Sequence, residues 1–216
     1  LAQIENNIIT ITLNRPEAKN ALSENLTPFL RKILKSVKKD KSIRLLIITG
    51  NGDAFCAGGD IKSMNINKKN KNQITSNKKI KNLQKKQLEL TGTLYSLKIP
   101  TIAILKGVAA GAGLSLALAC DLRIATTNTF IISGYSKIGL SGDYGITWLL
   151  AKITNTSIAK EIMFTNRRIS AQEAKSLGIF NQVYSKNLLA KKMKEILNNI
   201  VNGSPESINL IKNNIN

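Results

Sequence analysis

A single acid, Asp143, stands among apolar residues and glycines in the stretch KIGLSGDYGITWLL (137–150). Apolar surroundings disfavour a charged carboxylate and raise its pKa, which makes it a better base near neutrality. The same residue also suits a helix N-cap for YGITWLLAK, and the two roles are compatible. Two loops, FCAGGD (55–60) and AAGAGLS (109–115), share a pattern of apolar strand, small residues and helix start. Small residues let a backbone come close to a ligand, and a helix start offers unpaired N–H groups. Two such N–H groups converging would form an oxyanion hole. Tight turns and close helix packing would account for the same glycines without any ligand. A dinucleotide-binding reading of GAGLSL fails, because the third glycine and a suitably spaced acid are both missing.

Histidine is absent, which removes Ser–His and Cys–His nucleophile pairs, histidine bases and histidine-ligated metals. Ser115 has no base beside it in the sequence and reads as a packing residue of a buried helix. Cys56 and Cys120 are too few for a disulfide scaffold and lack metal-ligand spacing, so no metal is expected. The 32 Lys and Arg against 13 Asp and Glu give a net charge of +19, which would suit nucleic acid or another polyanionic ligand. Lysine, asparagine and isoleucine are abundant together, however, as AT-rich coding produces, and the lysines are spread along the chain. The densest cluster, KKNKNQITSNKKIKNLQKK (68–86), lacks the interleaved aromatics that stack on bases. It reads as a solvated loop and helix face.

At 216 residues the chain suits one α/β domain with a sizeable core. NNIITITLN (6–14) alternates like a strand, and Ser23 is placed to cap a helix running to about Lys39, with Leu22, Leu26, Leu30, Ile33, Leu34 and Val37 on one face. RLLIITG (44–50) and TIAILKG (101–107) are apolar runs closed by glycine, as buried strands are. Further strands are expected at 121–125, 129–133 and in IFNQVY. Helices are expected over about 79–97, 144–152, 156–164, 171–176 and 187–201. The longest apolar run, GLSLALAC (113–120), is far short of the roughly 20 residues of a membrane span. LAQIENNIIT has no secretory pattern and KNNIN no peroxisomal tripeptide, so a cytoplasmic location is expected.

LNRPEAKNAL, AFCAGGDIKS, GVAAGAGLSLALACDLRIA and SAQEAKSLGIFNQV, in this order, resemble the crotonase (enoyl-CoA hydratase/isomerase) superfamily. The resemblance implies a spiral of ββα units over residues 1–186, with 187–216 starting a C-terminal helical region that relatives generally extend. It also implies a homotrimer or hexamer acting on acyl-CoA thioesters, with coenzyme A as part of the substrate and no separate cofactor. Two backbone N–H groups, carried over onto Gly59 and Ala112, would stabilise a thioester enolate. Ala57, Asp60, Ile61 and Lys62 fall where the family contacts pantetheine and thioester, and Ala18 and Lys19 near the nucleotide end of CoA.

The glutamates that hydratases of this family use fall on Ser115 and Tyr135, so both acids are missing. Both residues stay in the expected substrate site, Tyr135 as pocket wall or, alternatively, as a hydrogen-bond donor. Around Asp143 the chain is similar to the epoxyphenylacetyl-CoA isomerase branch, although Gly142 stands for its proline and Ile146 for its second glycine. One base beside an enolate hole can take a proton from one carbon and return it at another, so the resemblance implies an enoyl-CoA isomerase with Asp143 as acid/base. The alternatives are a hydratase with altered catalytic residues, and an RNA-binding or non-catalytic CoA-binding homologue. The lysine-rich surface keeps nucleic acid open as a partner; a membrane is not expected.

Overall fold

The computed structural model describes residues 1–60 and 77–216. Ile61 and Lys62, and residues 68–76 of the lysine-rich cluster, lie outside the described residues. β2 (Ile8–Leu13) alternates as its sequence does, with Ile9, Ile11 and Leu13 turned into the core. It pairs antiparallel with β1 (Ala2–Glu5), a strand without an apolar pattern. Asn6 and Asn7, both left-handed (φ 49° and 64°), close this two-residue hairpin.

From β2 onward the chain repeats a unit of two strands and a helix. Each first strand, β3 (Leu45–Gly50), β5 (Thr101–Leu105) or β7 (Leu122–Thr126), adds in parallel to a six-stranded sheet ordered β1-β2-β3-β5-β7-β10. Each second strand, β4 (Ala54–Cys56), β6 (Val108–Ala110) or β8 (Phe130–Ile132), crosses into a four-stranded sheet with β9 (Ile169–Ser170). This is the expected ββα spiral. β10 (Gln182–Tyr184) completes the larger sheet beside β7.

β3 is buried on both faces because two cores flank it. Leu46 and Ile48 join the main core, which contains α1 (Leu26–Lys39). Leu45 and Ile47 face a smaller core against Met193, Leu189 and Ile196, carried by the later helix Lys186–Val201. Helix α1 starts later than its sequence suggests. Ser23 still accepts from the Leu26 N–H at 3.1 Å, but Leu22 lies outside the helix and bridges to Gly59.

α2 (Asn77–Gln87) runs on through a π turn (Leu88–Gly92) and a last helical turn (Thr93–Tyr95). α3 (Ala112–Leu118) is buried throughout. α4 (Ile146–Ile153), α5 (Thr156–Thr165) and α6 (Ala171–Ser176) follow, then α7 (Lys186–Val201) and α8 (Pro205–Ile215). The Lys212 ammonium ties α8 to the body, donating to Asp121 at 2.7 Å and to the Ile99 carbonyl at 3.0 Å. Among the described residues no helix is long and apolar enough to cross a membrane.

Candidate active site

The loop after β4 is held from one side. Ala57 N–H donates to Lys19 O (2.9 Å), Leu22 N–H to Gly58 O (2.7 Å) and Asp60 N–H to Leu22 O (3.0 Å). Leu22 thus takes the groups on either side of Gly59, and backbone alternation turns the Gly59 N–H the other way. The loop after β6 packs against this one. A methyl group on Gly58 would sit 2.9 Å from Ala110 O and 3.6 Å from Ala112 N, and one on Gly113 would sit 2.3 Å from Cys56 O. Glycine is what lets the two loops touch. Ala112 opens α3 behind Gly111, and its N–H precedes the helix's first hydrogen bond, from Ser115 N–H to Gly111 O at 3.0 Å.

Asp143 sits in the turn before α4, between Gly142 (φ 122°) and two further left-handed residues, Tyr144 (φ 49°) and Gly145 (φ 80°). Its main-chain oxygen accepts from Ile146 N–H at 3.1 Å and from the Ser115 hydroxyl at 3.2 Å. Tyr144 is clamped by α2 and its π turn. Its N–H donates to Gln87 Oε1 at 3.3 Å, and its carbonyl accepts from Thr91 Oγ1 at 2.9 Å. Asp143 Oδ1 accepts from the Tyr135 hydroxyl. The N-cap role therefore does not occupy the carboxylate, since Gly145 caps α4 without a side-chain bond.

Burial raises the Asp143 carboxyl above the usual carboxylate range, while the Tyr135 hydrogen bond acts the other way. Burial, then the charge of Asp143, pushes the Tyr135 phenol far up, so it remains a donor. Cys56 and Cys120 are buried, and burial pushes both thiols up to about 12. That leaves them no thiolate for nucleophilic work. Among the described residues no three His, Cys, Asp or Glu side chains cluster as metal ligands would.

Tyr135 itself is held by residues that the sequence left unmarked. Asn166 is buried in a left-handed turn closing α5. Its side-chain oxygen accepts from Ser133 Oγ at 2.8 Å and from Gly134 N–H. An Asn just past an apolar helix is a recognisable helix-stop signal, though not one that names its partners. Asn20, wholly buried, donates to the carbonyls of Asn51 (2.9 Å) and Ala54 (2.8 Å) and accepts from Arg15 N–H (2.8 Å). It binds the Ala18–Lys19 turn to the foot of β4.

The structure brings Asp143, Tyr135 and Ser115 into one hydrogen-bonded group on α3 and the adjoining loops, and the Gly58–Gly59 loop packs against the N-terminal end of the same helix. Ser115 is completely buried and donates to protein carbonyls (Gly111 O and Asp143 O, both 3.2 Å). The Asp60 carboxylate meets the Arg15 guanidinium at 3.2 Å. Lys19 is exposed, whereas Ala18 and Ala57 are half-buried. A cavity of about 420 Å³ opens between α2 and α4, lined by Leu88, Thr91, Tyr95, Tyr144 and Trp148 among others. Tyr144 joins its wall directly to the Asp143 turn.

Residues 3–216 match the family model described as enoyl-CoA hydratase/isomerase. The chain is 32% identical to the 1,2-epoxyphenylacetyl-CoA isomerase of Escherichia coli (strain K12), over 100% of this chain and 81% of that protein. It is 33% identical to the short-chain-enoyl-CoA hydratase of Clostridium acetobutylicum, over 98% of this chain and 78% of that one. The crystal structure of an enoyl-CoA hydratase from Polaromonas sp. JS666 superimposes with a TM-score of 0.87 at 30% identity, covering 99% of this chain and 81% of that one.

Proposed function

The chain belongs to the enoyl-CoA hydratase/isomerase family, and from that premise we propose that it shifts the double bond of an enoyl-CoA, with Asp143 carrying the proton. The thioester oxygen accepts hydrogen bonds from the N–H groups of Gly59 and Ala112. Asp143 removes a proton from the carbon next to the thioester, the electrons move onto the oxygen as an enolate, and the proton returns two carbons further along. The double bond moves into conjugation and nothing else is consumed. The N–H pair acts on charge that exists during the reaction and not in the substrate, which is where binding lowers a barrier.

The observation that carries this reading is the company Asp143 keeps. Burial raises its carboxyl above the usual carboxylate range, which is the direction that suits a group that must both take and give a proton. The side chains beside it are a phenol and a hydroxyl, Tyr135 and Ser115, and not acids that would activate water. The apolar cavity beside Tyr144 suits the acyl chain. Ala57, Asp60, Ala18 and Lys19 line the approach for pantetheine and nucleotide, in an assembly of three or six copies.

The test is proton exchange in heavy water with a panel of 3-enoyl-, 3,5-dienoyl- and epoxyaryl-CoA substrates. Asp143→Asn is expected to lower the rate by about 100-fold or more. Equal rates in both proteins would overturn the assignment, and hydration of a 2-enoyl-CoA without double-bond shift would establish the hydratase reading instead.

A further inference from the structure

The carboxylate of Asp143 has two oxygens, and among the described residues one of them, Oδ1, is held, by the Tyr135 hydroxyl. Taking Asp143 as the proton carrier proposed above, we infer that Tyr135 is its positioning residue: the phenol hydroxyl holds Oδ1 and so presents Oδ2 to the substrate. The geometry leaves little else to aim the acid. Its main chain is fixed by Ser115 and Ile146 at the carbonyl, by Gln87 at the N–H of that same peptide, and by Thr91 at the carbonyl of Tyr144. What remains free are the side-chain torsions, and the Tyr135 bond is the contact that stops them.

Tyr135 suits the task because it cannot move. It is 4% exposed. Its carbonyl accepts from Ile138 N–H at 3.0 Å and Leu140 N–H at 3.1 Å, while Asn166 holds the two residues before it. A hydroxyl offers one proton, and the buried phenol keeps it, so the bond runs one way, from Tyr135 to the carboxylate. A donor to the charged form favours that form, which offsets part of what burial does to Asp143. The other titratable neighbour is Tyr144, itself raised by burial and by the charge of Asp143, with Arg31 and Cys56 acting on it in turn.

Tyr135→Phe removes the hydroxyl and keeps the ring. With the panel substrate that wild type exchanges fastest, kcat is expected to fall about tenfold while KM stays within about twofold. The acid limb of kcat/KM should move to higher pH by about one unit, because the donor to the carboxylate is gone. The Asp143 carboxyl signal in protein carrying ¹³C-labelled aspartate reads the same shift without turnover, even in a poorly active variant. A loss of kcat with neither the limb nor the carboxyl titration moved would make Tyr135 merely structural and overturn the inference, as would an unchanged kcat. Those results leave the proposed function standing if Asp143→Asn is inactive. Full activity of Asp143→Asn instead removes the reading on which the inference rests.

Discussion

The Ser115 hydroxyl lies 3.2 Å from the main-chain oxygen of Asp143. Ser115 stands one helical turn after Ala112 on α3, so a single rigid element carries an amide of the candidate oxyanion hole and a brace of the candidate base. Helical neighbours three apart share a face. A buried helix thus links the Ala112 amide to the main chain of Asp143, and a rigid link of this kind helps keep reacting groups within reach of each other.

Stability should record the cost of burying Asp143. Its folded-state pKa is raised above the unfolded value. Between the two values the folded chain holds a proton that the unfolded chain has released, so this group's contribution falls as pH rises. Below the unfolded value the penalty is absent, and above the folded value it is complete. Asp143→Asn is thus expected to melt higher than wild type at about pH 8, with the gap closing toward about pH 4. Melting curves across that range check it, and a gap that widens on acidification would contradict it.

Asn20→Ala should be among the more damaging polar substitutions in the chain. It strands the buried Ala54 carbonyl, and removes the partner of the Asn51 carbonyl and of the Arg15 N–H. A loss of about 3 kcal/mol is expected in urea unfolding. Because the same bonds seat the Ala18–Lys19 turn, KM for acyl-CoA should rise as well. Unfolding at the wild-type midpoint would show that the buried amide is dispensable.

Gly142 adopts φ 122°, where proline cannot go because its ring holds φ near −65°. Restoring the proline of the similar isomerase branch should therefore harm this protein. Gly142→Pro is expected to cost about 3 kcal/mol and to lower exchange by about 100-fold through misplacement of Asp143. A variant as stable and active as wild type would mean that the turn can take the proline-bearing form.

Much of the architecture was legible because it is local. The alternation in Ile8–Leu13 and the apolar run Leu45–Gly50 announce strands, and the spacing in Leu26–Lys39 announces a helix. β1, β4, β6 and β9 escaped, since two to four residues show no period, and β4, β6 and β9 are held by partners distant in sequence. The Asn6–Asn7 hairpin was the signal that went unread, both residues being left-handed. Of the site, Asp143 and the glycine loops stood out by residue type. Tyr135 was read as pocket wall or hydrogen-bond donor, with no partner named, and Asn20, Asn166, Gln87 and Thr91 gave no sign of what they hold.

By its own residues, then, the sequence determined what can react: one acid in apolar surroundings, no histidine, and two loops of small residues before helices. It marked the first strand of each unit and most of the helices as well, because hydrophobic period is a property of neighbours along the chain, while the ββα repeat itself came from the family resemblance. Tertiary structure alone decided who holds whom. Tyr135 meets Asp143, Thr91 meets Tyr144 and Asn20 meets Ala54 across 8, 53 and 34 residues. Such bonds form where packing leaves a buried polar group with one partner in reach, and no local pattern records where that will be.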